Sequence, residues 1–181
     1  MRSETAERGS RTTGSAGANL ALATAAFALT FWAWNLIGPL SRTYSENLNL
    51  TPTQTSILVA FPVLVGSLGR IPVGVLTDRY GGRLMFTVVC FVSIVPTFLV
   101  GISEHSYTML LVWGFFLGVA GTSFAIGIPF VNAWYSAGRR GFATGVFGAG
   151  MGGTALSAVL ALHPPAEFPA GVAFVFMAIV L

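Results

Sequence analysis

The chain has 181 residues, is 54% hydrophobic and only 8% charged, and has a mean hydropathy of +0.78. Soluble domains carry about 25% charged residues, so the composition excludes an ordinary water-soluble fold and predicts an all-α integral membrane protein. Nine Arg and no Lys against six acids leave a net charge of +3, a small excess that argues for no nucleic-acid partner; the predicted partner is the lipid bilayer.

Residues 1–18, MRSETAERGSRTTGSAGA, are rich in Ser, Thr, Gly and Arg, lack apolar periodicity and read as a disordered cytoplasmic tail. A cleaved signal peptide is the competing reading. Against it, the next apolar segment runs about 22 residues rather than the roughly 7 to 15 of a signal h-region, and more spans follow. A helix needs about 20 mainly apolar residues to cross roughly 30 Å of hydrocarbon. Five segments qualify, at 19–40, 53–75, 84–102, 107–131 and 141–162. Polar turns separate them: SRTYSENLNLTPTQ, LTDRYGG, SEHS and NAWYSAGRR. A sixth apolar run starts near Ala170 and reads GVAFVFMAIVL to Leu181, too short to span, so residues 19–181 are expected to be an N-terminal transmembrane bundle and a fragment of something longer.

Arginine placement sets the expected orientation, because short cytoplasmic loops collect basic residues. Arg2, Arg8, Arg11, Arg79, Arg83, Arg139 and Arg140 fall on one side, whereas the opposite loops hold only Arg42 with Glu46, Glu104 and Glu167. The N-terminus is therefore expected in the cytoplasm of a multi-pass protein of the cell membrane. Tyr44, Tyr107 and the Trp134-Tyr135 pair lie at predicted span ends and read as interfacial anchors.

Arg70 lies inside an otherwise uncharged span. A charge there costs on the order of 2.5 to 3.5 kcal/mol on insertion scales, so it calls for an anion, a water-filled cavity, or a snorkelling path to the headgroups. Pro62, Gly66, Arg70 and Gly74 recur every four residues and so form one stripe of the helix, which small residues mark as facing other helices or a central cavity. In the fifth span, GFATGVFGAGMGG places Gly141, Gly145, Gly148, Gly150, Gly152 and Gly153 close together. Two readings stand: tight helix crossing through the pairs Gly141 with Gly145 and Gly148 with Gly152, or backbone approach to a small ligand. Gly114, Gly118 and Gly121 repeat the pattern in the fourth span, and Pro62, Pro72, Pro96 and Pro129 are candidate kinks. Cys90 reads as helix packing, and His105 and His163 as solvated loop residues without metal-ligand spacing. No paired intramembrane carboxylates, nucleophile with a nearby His, or phosphate loop is present, so neither an enzyme nor a cofactor is predicted.

Between the second and third spans the chain reads Gly74-Val75-Leu76-Thr77-Asp78-Arg79-Tyr80-Gly81-Gly82-Arg83, which resembles the G-x-L-x-D-R-x-G-x-R loop signature of the major facilitator superfamily. LVAFPVLVGSLGRIPVGVLTDRYGGR and GTSFAIGIPFVNAWYSAGRRGFATGVFGAGMGGTAL further resemble its nitrate/nitrite porter branch, over roughly residues 27–162. The resemblance implies twelve spans in two six-helix halves, this chain being the N-terminal half with an incomplete sixth span. Substrate would sit near the midplane and the halves would rock around it. In that family a second-span arginine contacts nitrate, and Arg70 holds the matching place in the L-x-R-x-P-x-G run; a second arginine belongs to the C-terminal half. The family's glycine-rich fifth-span signature implies Gly148, Gly150 and Gly152 as substrate-binding, although its usual asparagine is replaced, with Met151 or Gly153 near its place. Gly74, Asp78, Arg79, Gly81 and Arg83 are implied as a gating loop, with Asp78 stabilised near a helix N-terminus; topology signals are the plainer reading of the loop's charges. The expected activity is transport of a small oxyanion, nitrate or nitrite, with the missing half as partner. The alternatives are another small anion such as a carboxylate, or a non-transporting truncated membrane module.

Overall fold

The computed structural model describes residues 15–103 and 105–162, so the sixth apolar run, most of the N-terminal tail, Glu104, His163 and Glu167 lie outside it. Among the described residues every regular element is helical. Five helices are long and apolar enough to cross a membrane: Ala16–Leu48, Pro52–Tyr80, Gly82–Ile102, Tyr107–Asn132 and Ala137–Val159. All five predicted spans are found in order. Their outward faces carry large apolar side chains such as Leu22, Ile71 and Phe91, as lipid contact requires.

Two predicted turns are shorter than expected. SRTYSENL continues the first span as helix because Tyr44 is buried on its inner face and Arg42 pairs with Glu46 one turn on. It stops where Asn49 turns left-handed, and Thr51 with Gln54 forms a capping box that starts the second span. LTDRY is likewise helical; the reversal is confined to Gly81, whose φ of 88° and ψ of 144° suit only glycine.

Most spans are interrupted. The first consists of α1 (Ala16–Asn35) and α2 (Ile37–Leu48), the second of α3 (Pro52–Leu68) and α4 (Arg70–Tyr80), and the third is the unbroken α5 (Gly82–Ile102). The fourth runs through α6 (Tyr107–Leu117), a 3-10 segment Gly118–Thr122 and α7 (Ser123–Asn132). The fifth runs through α8 (Arg140–Gly148), a 3-10 turn Ala149–Met151 and α9 (Gly152–Leu162). Proline explains two breaks: Pro39 has no N–H for the Asn35 carbonyl and crowds it, and Pro72 does the same to Leu68. Pro62, Pro96 and Pro129 sit inside continuous helices, so of the four expected kinks only Pro72 marks a break. In the fourth and fifth spans glycine clusters coincide with the tighter winding, and 3-10 turns within helices often mark hinges.

The bundle buries two apolar clusters. One, at the end where α2 and α3 meet, gathers Leu36, Ile37, Leu40, Leu58, Leu110 and Leu117; the other, toward the Arg83 end, gathers Phe27, Phe31, Phe86, Val89, Ile126 and Phe147. The first and fifth spans cross closely, but not through the expected pairs. Gly141, Gly145, Gly148 and Gly152 have open space where a Cβ would stand. The crossing is made by Gly150 against Phe27 and the Thr24 carbonyl, and by Gly153 against the Ala28 backbone. Residues three apart share a helix face, so spacing by three, and not by four, fits the locally tightened winding.

Candidate functional site

Arg70 opens α4 directly after the break at Gly69. It stands five residues, about 7.5 Å along the helix axis, before the apolar segment gives way to polar LTDRY, and so lies within the apolar part of the span. The half-buried side chain turns across the bundle and not along its own helix. Its Nε donates to the Gly121 carbonyl at 3.4 Å, and its guanidinium lies 5.5 Å from the centroid of the Phe124 ring. Gly121 belongs to the 3-10 segment of the fourth span.

A guanidinium has five N–H donors. One goes to Gly121, and among the described residues the others have no protein acceptor. The ion pair among those residues is Arg42 with Glu46, both exposed near the end of α2 and remote in sequence from Arg70. A cation inside an apolar span therefore rests on one long hydrogen bond and a ring face, an arrangement of about 0.5 to 2 kcal/mol for the ring contact and not one that neutralises it. Chemically the site is a forked, uncompensated donor set that fits a planar anion.

An aromatic stack links this cation to the fifth span. The Phe124 ring lies 5.7 Å from Phe27, which lies 4.3 Å from Phe31 and 4.5 Å from Phe147, all centroid to centroid. Phe27 in turn fills the space left by Gly150. The site residues expected from sequence are thus distributed unevenly. Gly150 is committed to packing on the first span, whereas half-buried Gly148 and exposed Gly152 flank it with open space. No direct contact joins any of the three to Arg70. Of the two residues near the place of the resembled signature's fifth-span asparagine, Met151 is half exposed and Gly153 is buried. A side-chain amide does reach this span from elsewhere: Asn35, at the first-span break, donates to the buried Ser157 hydroxyl at 3.0 Å.

The stripe on the second span faces inward as expected at Pro62 and Gly66, both buried, and opens at Arg70 and Gly74. The loop group does not join it. Asp78, eight residues or about 12 Å below Arg70, is exposed with Arg79 and Arg83, and none of the three forms an ion pair among the described residues. Arg79 lies over its neighbour Tyr80, 5.5 Å from the ring centroid. Asp78 occupies the last turn of α4, so its own helix presents it a negative dipole end and not the stabilising N-terminus anticipated.

Sequence reasoning singled out Gly121 only as one of the fourth-span glycines, missing its carbonyl as the partner of Arg70, and missed Phe124 and Trp34 altogether. The glycines at 118 and 121 were the available signal for the fourth span. Trp34, in an apolar run, carried none.

Interrupted apolar spans around a cation set within one of them define a multi-pass membrane protein. The chain belongs to the Major Facilitator Superfamily, whose family model matches residues 23–181. It is 58% identical over 143 residues to the "Probable nitrate/nitrite transporter NarK2" of Mycobacterium tuberculosis, covering 78% of this chain and 36% of that protein. It is 41% identical over 149 residues to the "Probable nitrate/nitrite antiporter NarK1" of Thermus thermophilus, covering 82% and 33%. The "Probable nitrate transporter NarT" of Staphylococcus haemolyticus is 38% identical over 149 residues, covering 82% and 38%. The chain spans about a third of the length of these relatives.

Proposed function

We propose that this chain forms the N-terminal six-helix half, residues 19–181, of a twelve-span porter that moves nitrate or nitrite across the cell membrane by alternating access. In this reading Arg70 is the substrate ligand contributed by this half, residues 1–18 lie in the cytoplasm, and a C-terminal six-helix half closes the cavity. The observation that carries the proposal is the Arg70 guanidinium, held inside the second span by Gly121 and Phe124 with its remaining donors unpaired among the described residues. The names carried by the similar proteins supply the anion class. Gly148 and Gly152 offer open backbone toward the substrate; Gly74, Asp78, Arg79, Gly81 and Arg83 form the cytoplasmic gating loop.

Moving an anion inward against an inside-negative potential costs about 2.3 kcal/mol per 100 mV per charge. Among the described residues no carboxylate lies at mid-span to carry a compensating proton: Glu46 and Asp78 are both exposed near helix ends. Exchange of one monovalent anion for another moves no net charge. Such exchange agrees with the name of the Thermus protein, and coupling through the C-terminal half is the alternative.

A second reading, transport of a different small anion such as a carboxylate, is favoured by one observation. The fifth span has no asparagine from Gly141 to Ala161, Met151 or Gly153 standing near the place where an amide would hold an oxyanion.

The test is uptake into proteoliposomes by the full-length transporter, comparing nitrate, nitrite, formate and chloride in wild type and Arg70→Lys. A lysine keeps the charge but loses the fork and the Nε donor. Nitrate or nitrite uptake lost in the variant supports the proposal. Uptake of those anions indifferent to the change removes Arg70 from the substrate site, and wild-type preference for formate selects the second reading.

A further inference from the structure

Trp34 is set where the two apolar clusters meet, and among the described residues it is the side chain packed against both. Its indole fills a slot between the second and fourth spans whose walls are glycine. A Cβ at Gly66 would lie 3.0 Å from Trp34 Cζ2, and one at Gly121 would lie 2.8 Å from Cε2. Its Nε1 donates to the Pro62 carbonyl at 2.9 Å, one turn before Gly66. Phe31, a member of the stack beneath Arg70, meets the indole edge at 5.0 Å.

Both glycines that wall the Trp34 slot lead to Arg70 in one step. Gly66 is one helical turn before Arg70 on the same stripe. Gly121 supplies the carbonyl that Arg70 binds. At 3.4 Å that bond is near the limit of a hydrogen bond, so a small change in the spacing between the second and fourth spans makes or breaks it. The indole sets that spacing: it is a rigid plate, clamped by glycine on both sides and anchored in rotation by the Pro62 carbonyl.

We propose that Trp34 is a positioning residue for the anion site, acting through Gly121 and the second-span stripe to hold the Arg70 fork in register for a planar oxyanion. The inference rests on the oxyanion reading above and adds a residue from the first span to it. Trp34 does not touch the substrate in this account. Its N–H and its width decide how much of the Arg70 fork is free to bind it.

The experiment uses the full-length transporter in proteoliposomes with Trp34→Phe, which keeps an aromatic plate but removes the N–H and narrows it, and Trp34→Leu, which removes the plate. KM and maximal rate are measured for nitrate and for nitrite, with the amount of folded protein normalised by size-exclusion chromatography. Trp34→Phe is expected to raise KM about three- to tenfold at nearly unchanged maximal rate, the size of one lost hydrogen bond, with a larger rise in Trp34→Leu. A merely structural role would lower the amount of folded protein and leave KM alone, and that outcome overturns the proposal. If the leucine variant does not fold, the phenylalanine variant decides the matter by itself. Wild-type protein that takes up neither nitrate nor nitrite refutes the oxyanion reading, and this inference falls with it. Wild-type uptake with an unshifted KM in Trp34→Phe refutes the role of Trp34 alone.

Discussion

Adding one methyl group at Gly121 tests whether the slot between the second and fourth spans governs the anion site. An alanine Cβ there would stand 2.8 Å from Trp34 Cε2 and 2.9 Å from Cδ2, closer than carbon atoms pack. The indole has little retreat, because Cε2 and Nε1 already lie 3.1 Å from where a Cβ at Gly66 would be and Nε1 is tied to Pro62. Relief requires the two spans to part by about 0.5 to 1 Å, since optimal carbon contacts are about 3.5 Å or more. That displacement stretches the 3.4 Å bond from Arg70 to Gly121 beyond hydrogen-bonding range. Overpacking costs about 1 to 3 kcal/mol, whereas alanine regains roughly 1 kcal/mol over glycine in a helix. Net destabilisation is therefore small, about 0 to 2 kcal/mol, and the larger effect falls on substrate affinity. The assay is uptake kinetics and thermal unfolding of full-length Gly121→Ala in detergent, alone and combined with Trp34→Leu. The expected result is a raised KM in Gly121→Ala and a double variant whose rise falls short of the product of the two single rises, because the vacated slot admits the methyl group, a coupling that independent sites would not show. An additive double variant, or a single variant with wild-type KM, refutes the reasoning.

Gly81→Ala should destabilise the protein by about 1 to 3 kcal/mol, because alanine must adopt φ of 88° at the reversal between α4 and α5; a melting temperature equal to wild type would count against it. Asp78→Asn should leave thermal stability within about 0.5 kcal/mol, since the side chain is exposed and makes no ion pair among the described residues, yet slow uptake if the loop gates. Unchanged uptake kinetics at equal expression would remove Asp78 from the gate.

The five spans were legible because lipid imposes a requirement that can be summed along the chain: about 20 consecutive apolar residues per crossing, with polar residues between. The same sum misjudged SRTYSENL and LTDRY, which are polar yet helical. Polarity marks where a helix leaves the hydrocarbon, whereas Asn49 and Gly81 mark where it ends. Arg70 was legible as an anomaly of charge. Its surroundings were not: Gly121 takes part through a backbone carbonyl, which carries no sequence signal, and Phe124 is one of fifteen phenylalanines. The fifth-span glycines were read as a class. Only contact separates Gly150 and Gly153, which admit the first span, from Gly148 and Gly152, which stay open.

The sequence by itself determined that the protein lives in a bilayer, how many described spans it has, which charge would be stranded in them, and which superfamily its loop resembles. Each of these depends on residues near one another along the chain or on the cost of placing a single side chain in hydrocarbon. The tertiary structure alone decided that the arginine turns across the bundle to a carbonyl of the fourth span, that an aromatic stack connects it to the fifth, and that a tryptophan from the first holds the gap. These depend on where prolines and glycines interrupt the helices and on how close two backbones come. Close packing fixes such distances to fractions of an ångström through contacts such as that of Asn35 with Ser157, 122 positions apart, a scale at which hydropathy carries no information.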